Sequence, residues 1–265
     1  MSILLSAGHY FGKEQQFNET ALFKLNITAY QPNTHLHDHC HENAYLSLLI
    51  SGGYEEMAGR HQQAILPGEV LFRPAGYTHA NRFHAIPGRC LNIEFKHPGL
   101  NELASPQQLP TTLTVYKTGT FQYLYQLLYS FLEDPSGSMS EEYILGWLSD
   151  VSAVKIPSRL PWLSKAKAIL ENEFDTHHTI HSLASRVYVH PIYLARAFRE
   201  KEGMTPGEYQ MEMRVKKALF LLFTTSLPIA DIAFAAGFSD ASHLVRIFRR
   251  HYRSTPYQFR RLLNS

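Results

Sequence analysis

The sequence predicts an α+β protein of two domains: a strand-rich N-terminal barrel or sandwich with flanking helices, followed by an all-helical C-terminal part. Three observations carry this. Up to about residue 105, short apolar runs alternate with Gly/Pro turns, the pattern of small all-β units. After Pro161 the apolar spacing is helical throughout. Charge divides at the same point: residues 162–265 carry 15 Lys and Arg against 9 Asp and Glu, a net +6, while residues 1–161 carry 10 against 14, a net −4. A basic part joined to an acidic one implies that only the former meets a polyanion.

Composition narrows the classes further. Of 265 residues, 45% are apolar and 18% charged, so a packed core is expected rather than disorder. The longest apolar runs, such as residues 218–223, span 6 residues, whereas a membrane helix needs roughly 20. The apolar patch at Ile3, Leu4 and Leu5 is tiny and has no basic region before it, so no signal peptide is expected. Two cysteines, Cys40 and Cys90, make no disulfide framework, and a reducing cytoplasm is the simplest compartment.

Taken in order, residues 22–29 read as a strand. The run 45–50 is stopped by Gly52-Gly53, and Val70-Leu71-Phe72 by Pro74 and Gly76. Leu91, Ile93 and Phe95 alternate with Asn92 and Glu94. Pro-bearing joints follow at 105–110, 134–138 and 155–161, where proline breaks helices and central strands. Between the first and last joints, Phe121, Leu124, Leu128 and Phe131, then Ile144, Trp147, Leu148 and Val151, have helical spacing. These two helices cover the barrel or supply a dimer interface. The expected division is 1–105, 106–161 (helical segment and linker) and 162–265.

The basic part repeats itself. Leu183-Ala184 returns as Ile232-Ala233, 49 residues on. Leu194, Arg196, Phe198, Arg199, Thr205 and Pro206 return 50 residues on as Leu244, Arg246, Phe248, Arg249, Thr255 and Pro256. The chain therefore holds two copies of one supersecondary unit. Each copy reads as helix, tight turn, helix, the helix-turn-helix. In the second copy Gly237 ends the first helix and Ser239 or Asp240 caps the next. In the first, Pro191 opens the second helix. Residues 208–224 join the copies as one long helix.

The outward faces favour DNA. Opposite Leu194 and Phe198 lie Ile192, Ala195, Arg196 and Arg199; opposite Leu244 and Phe248 lie Ala241, Ser242, Val245, Arg246 and Arg249. Small apolar side chains suit the thymine methyl, and arginine suits guanine or phosphate. One such face would ordinarily be a solvated basic surface; two equivalent ones tip the balance to DNA.

The spacing Leu183-Ala184-(x9)-Leu194-x-Arg196-x-Phe198, then Ile232-Ala233-(x3)-Gly237-Phe238-(x5)-Leu244-x-Arg246-x-Phe248-(x6)-Thr255-Pro256, resembles the paired helix-turn-helix of AraC/XylS-type bacterial transcription regulators. The resemblance covers residues 163–263. It implies that Ile192, Ala195 and Arg196, and Ala241, Ser242, Val245 and Arg246, lie in the DNA grooves. Tyr188 departs from the pattern, standing where the first turn ordinarily has glycine.

Upstream, four of the chain's 15 histidines fall at His35, His37, His39 and His41, which simple strand alternation places on one face. Gly68-(x5)-Pro74-x-Gly76-(x2)-His79 resembles the second motif of the cupin barrel. His39-x-His41-(x3)-Tyr45-(x6)-Gly52 resembles the first, with Tyr45 where glutamate is expected and Phe83 where the second motif ends in asparagine. The frame His35-x-His37-(x4)-Glu42 is an alternative that misplaces the glycine. The resemblance implies a cupin-like sensor barrel in which His39, His41 and His79 hold a divalent metal such as zinc. Alternatively the histidines bond to backbone or water and line a metal-free effector pocket. Tyr45, Arg73, Tyr77 and Arg82 are candidates to orient an organic effector; Glu94 is a weaker one, with a solvent-facing position as its alternative.

The expectation is a non-enzymatic, cytoplasmic, homodimeric regulator. It binds double-stranded promoter DNA, responds to a small molecule or metal, and contacts RNA polymerase if it activates. The rival is a metal-dependent cupin enzyme with an accessory helical domain, against which stand the incomplete metal set and the lack of a nucleophile–base pair or phosphate loop.

Overall fold

A computed structural model describes residues 2–96, 109–152 and 160–264. Of the three expected joints, residues 105–108 and 155–159 lie outside the described residues. The third, 134–138, is an Asp-anchored turn in which the Asp134 carboxylate accepts from the Ser136 N–H at 3.0 Å and from the Ser136 and Ser138 hydroxyls. Two compact units emerge, Met1–Ala153 with Tyr252–Ser265, and Val154–His251.

The first unit is built on two sheets. The strands are β1 (Ile3–Leu5), β2 (Lys13–Glu19), β3 (Phe23–Tyr30), β4 (His35–His41), β5 (Tyr45–Ser51), β6 (Tyr54–Ala58), β7 (His61–Ile65), β8 (Val70–Arg73), β9 (His79–Phe83), β10 (Gly88–Phe95) and β11 (Thr114–Tyr116). One sheet has the order β1-β4-β9-β6-β7 and the other β11-β8-β5-β10-β3-β2. They pack face to face: Tyr30 stacks on Phe83 with ring centroids 4.2 Å apart, and Leu49, Leu71 and Cys90 meet Tyr54 and Ile65. Among the described residues no ladder joins the two sheets, so the expected barrel is an open two-sheet sandwich.

Strand β10 sits between β3 and β5 and is buried on both faces. Its Leu91, Ile93 and Phe95 turn away from the other sheet, whereas Cys90 faces it. Phe95 packs on Trp147 at 5.6 Å, beneath the helices, while Asn92 points between the sheets and donates to Asn26 Oδ1 (2.9 Å) and Thr28 Oγ1 (3.0 Å). Amides and hydroxyls survive burial there because they satisfy one another.

Helices α1 (Gln122–Glu133) and α2 (Ser140–Ser152) cover this sheet. Leu124, Leu128, Phe131, Ile144, Trp147 and Leu148 are buried. These six residues of the expected apolar stripes are packed within the unit, against the sheet and each other.

The second unit holds α3 (Pro161–Asn172), α4 (Ile180–Val187), α5 (Pro191–Glu202), α6 (Pro206–Thr224), α7 (Ile229–Ala235) and most of α8 (Ala241–Tyr252); α9 (Pro256–Leu263) follows. Leu163, Ala166, Leu170, Leu183, Ala184, Leu194 and Phe198 form one core with Tyr209 of α6. In the second copy Ile232, Ala233, Phe238, Leu244 and Phe248 are buried equivalently. The joining helix begins two residues earlier than expected, because Thr205 and Glu208 form a reciprocal capping box with Pro206 at the first helical position. Thr255 and Gln258 repeat that box at α9. At 19 residues, α6 is about 28 Å long. Asp240, not Ser239, caps α8 by accepting from the His243 N–H at 2.8 Å. No helix among the described residues is long and apolar enough to cross a membrane.

Candidate nucleic-acid interface and effector site

The nine residues expected to meet DNA all stand on the outward sides of α5 and α8. Arg196, Arg199, Ser242, Arg246 and Arg249 are exposed, and Ala195, Ala241 and Val245 are half-buried at their bases. Ile192 is 74% exposed in the first turn of α5. The anchoring side of each helix is set by Leu194 and Phe198, and by Leu244 and Phe248, all fully buried. Their i, i+4 spacing fixes which residues turn outward. On α8 the expected residues line one shallow groove with Arg250, which sequence reasoning did not single out. Its signal was available: it follows Arg246 by one helical turn.

In the sandwich, one ring nitrogen from each of His39, His41 and His79 lies within 4.8 Å of the other two, and all three residues are buried. Strand β4 carries the first two and its neighbour β9 the third; His39 pairs directly with His79. The expectation of four histidines on one face is corrected. The ladder slips between Leu36 and His39, so Leu36 and then His39 and His41 turn inward while His35 and His37 are exposed. An extra residue in a strand breaks simple alternation.

The environment of the triad fits a metal ion. His39 Nδ1 lies 2.8 Å from the His37 carbonyl and His79 Nδ1 lies 3.1 Å from the Tyr77 carbonyl. A carbonyl only accepts, so Nδ1 carries the proton in both rings and Nε2 keeps its lone pair. His41 Nδ1 is buried and has no hydrogen-bond partner among the described residues. Burial holds all three imidazoles neutral: His39 is lowered, His41 falls to about 3, and His79 falls well below its usual value. The space beside His39 and His41 is about 20 Å³. A single water needs roughly 10–15 Å³, so this space takes an ion or a water, and an organic effector requires the sheets or their cover to open.

The remaining candidates separate. Tyr45 is buried, and its hydroxyl lies 3.2 Å from His79 Nε2. Tyr77 is half-buried, with its ring centroid 5.9 Å from that of His79. Arg73 is buried and committed internally: it donates to both oxygens of Glu56 at 2.9 and 2.7 Å and to the Tyr54 hydroxyl at 3.0 Å. Burial opposes its charge, but the Glu56 carboxylate prevails and raises its pKa. Arg82 is exposed; strand alternation sends it outward between Asn81 and Phe83, which line the cavity. Glu94 does not face solvent. It is 2% exposed and accepts from the Gly8 N–H (2.7 Å) and Asn43 Nδ2 (2.8 Å).

Sequence reasoning missed Glu56, Asn81, Tyr10 and Phe11. Asn81 donates to Glu56 at 2.6 Å. The rings of Tyr10 and Phe11 lie 4.9 Å from His41 and 5.0 Å from His39, covering the triad. Nothing local marks them, since they are joined to the site only by the folded chain.

The helix-turn-helix domain family HTH_18 matches residues 183–262. The YbfI protein of Bacillus subtilis, described as an uncharacterized HTH-type transcriptional regulator, is 26% identical over 255 residues, 86% of this chain and 90% of that one. The Msm operon regulatory protein of Streptococcus mutans is 25% identical over 124 residues; the match takes in 47% of this chain and only 43% of that protein's length. Among solved structures, fatty-acid-bound ToxT from Vibrio cholerae superposes with a TM-score of 0.39 at 13% identity, covering 91% of this chain and 96% of that one.

Proposed function

Because the chain is a DNA-binding transcription regulator of the AraC/XylS type, we propose that it reads promoter DNA with the exposed faces of α5 and α8 and changes that binding when its N-terminal sandwich is occupied. The observation that carries this is the equivalence of the two faces. Each places an arginine, Arg196 or Arg246, two residues beyond a buried leucine and two before a buried phenylalanine. In this reading Ile192, Ala195, Ala241, Ser242 and Val245 touch base edges, and Arg199 and Arg249 continue the contact towards phosphate.

In the sandwich, His39, His41 and His79 hold a divalent ion such as zinc, and Tyr45 and Tyr77 border it. A bound ion ties β4 to β9 through shared coordination. Occupancy switches transcription only so far as it favours one arrangement of the protein over another that binds DNA differently.

The test is binding of the full chain to duplex DNA from upstream of its own gene, against a shuffled duplex of equal length at one salt concentration, with metal present and after chelation. Sequence-selective binding that shifts with metal supports the whole reading. Equal affinity for both duplexes refutes sequence-specific recognition. Selective binding indifferent to metal leaves the DNA role and removes the metal from regulation.

A further inference from the structure

We infer that Tyr45 supplies its phenol oxygen as a fourth protein ligand to the ion held by His39, His41 and His79. This rests on the reading of that triad as a metal site. The three histidines come from one sheet, and Tyr45, on β5, faces them from the other. Its hydroxyl lies 3.2 Å from His79 Nε2 and its ring centroid 4.5 Å from that of His41.

The argument is one of competition for a single lone pair. His79 Nδ1 donates its proton to the Tyr77 carbonyl, so Nε2 is an acceptor, and the Tyr45 O–H donates to it. A cation on that lone pair displaces the hydroxyl proton from the position it now holds. The ring has little freedom to withdraw: Tyr45 is 4% exposed, the Arg73 guanidinium lies 5.1 Å from its centroid, and the Tyr10 ring lies 5.6 Å away. Arg73 is itself fixed by both Glu56 oxygens. The phenol oxygen then stays beside the ion, its O–H bond breaks, a metal–oxygen bond forms, and the proton leaves to solvent. No electron is transferred. Burial opposes ionisation of the Tyr45 phenol and the nearby Arg73, paired with Glu56, offsets this only in part, so the bond to the ion itself must drive the loss of the proton. An oxygen donor added to three imidazoles suits a transition ion such as Cu²⁺, Zn²⁺ or Fe³⁺.

Copper(II) is the probe, because phenolate bound to it gives a visible charge-transfer band that imidazole does not. The full chain, stripped with chelator and desalted, receives one equivalent. The expected result is that band, with phenolate ring modes enhanced in the resonance Raman spectrum. Tyr45→Phe should lose the band entirely while keeping one copper per chain by elemental analysis. Tyr10→Phe should keep both. Copper bound by the native chain without the band, or a band that survives Tyr45→Phe, overturns the role of Tyr45 and leaves the triad intact. A native chain that retains no copper, or a His39→Ala/His41→Ala double variant that still retains a full equivalent, overturns the metal site and the ligand together.

Discussion

Tyr188 and Gly237 close the same turn in the two helix-turn-helix copies, and both hold left-handed backbone, with φ of +59° and +78°. Glycine adopts that region freely, whereas a residue with Cβ pays roughly 1–2 kcal/mol for it. The surroundings differ as well. A Cβ on Gly237 would stand 2.7 Å from the Asp175 Cα, while Tyr188 is 88% exposed. Gly237→Ala should therefore destabilise by about 1–3 kcal/mol. Tyr188→Gly should be neutral or stabilising by up to about 1 kcal/mol, because relief of strain is partly offset by the added freedom of the unfolded chain. Urea unfolding of both variants checks this, and equal losses would remove the distinction between the turns.

Arg196 and Arg246 are exposed and make no side-chain hydrogen bond or ion pair among the described residues, so their removal should act on DNA alone. Arg196→Ala and Arg246→Ala should each weaken binding at a specific site by about 1–3 kcal/mol if they read bases. If they hold phosphate, the loss should be uniform across sequences and the salt dependence shallower. Anisotropy titrations at two salt concentrations distinguish these. Unchanged affinity in both variants would sink the docking scheme.

The histidine triad predicts metal content directly. His39→Ala with His41→Ala should abolish stoichiometric metal in the purified protein, while changes at exposed His35 and His37 should leave it in place. A native protein with no affinity for transition ions would refute the site.

Acid should destabilise the metal-free chain. His41 titrates at about 3 in the fold, and burial lowers His39 and His79 also, whereas unfolded histidine titrates near 6.5. Below about pH 6.5 the unfolded chain binds protons that the native chain refuses. Stability from these groups is thus complete above that pH and is lost as pH falls towards 3, by about 1.4 kcal/mol per pH unit for each fully titrating histidine. Denaturation midpoints between pH 7.5 and 5 in chelator measure this. A midpoint rising on acidification would contradict it.

Glu56 and Arg73 form a buried pair, 2% and 3% exposed. Glu56→Ala leaves the guanidinium buried without its carboxylate and should cost about 3–5 kcal/mol. Replacing both residues with apolar ones of similar volume should cost much less, which a comparison of single and double variants by thermal unfolding would show.

Much of this molecule was legible in local pattern. The repeat, the buried Leu–Phe stripes, the cap residues and the outward arginines all follow from spacing along helices, whose neighbours lie three or four residues apart. So did the pairing of His39, His41 and His79, through motif spacing. What the sequence could not decide was set by partners far along the chain. It could not show that β10 turns Asn92 and Glu94 inward and its apolar side to Trp147. It could not show that a slip in β4 sends His35 and His37 outward, that Glu56 claims Arg73, or that Tyr10 and Phe11 cover the histidines. In a strand the period reveals that two faces differ, but only the second sheet and the covering helices determine which face is the interior.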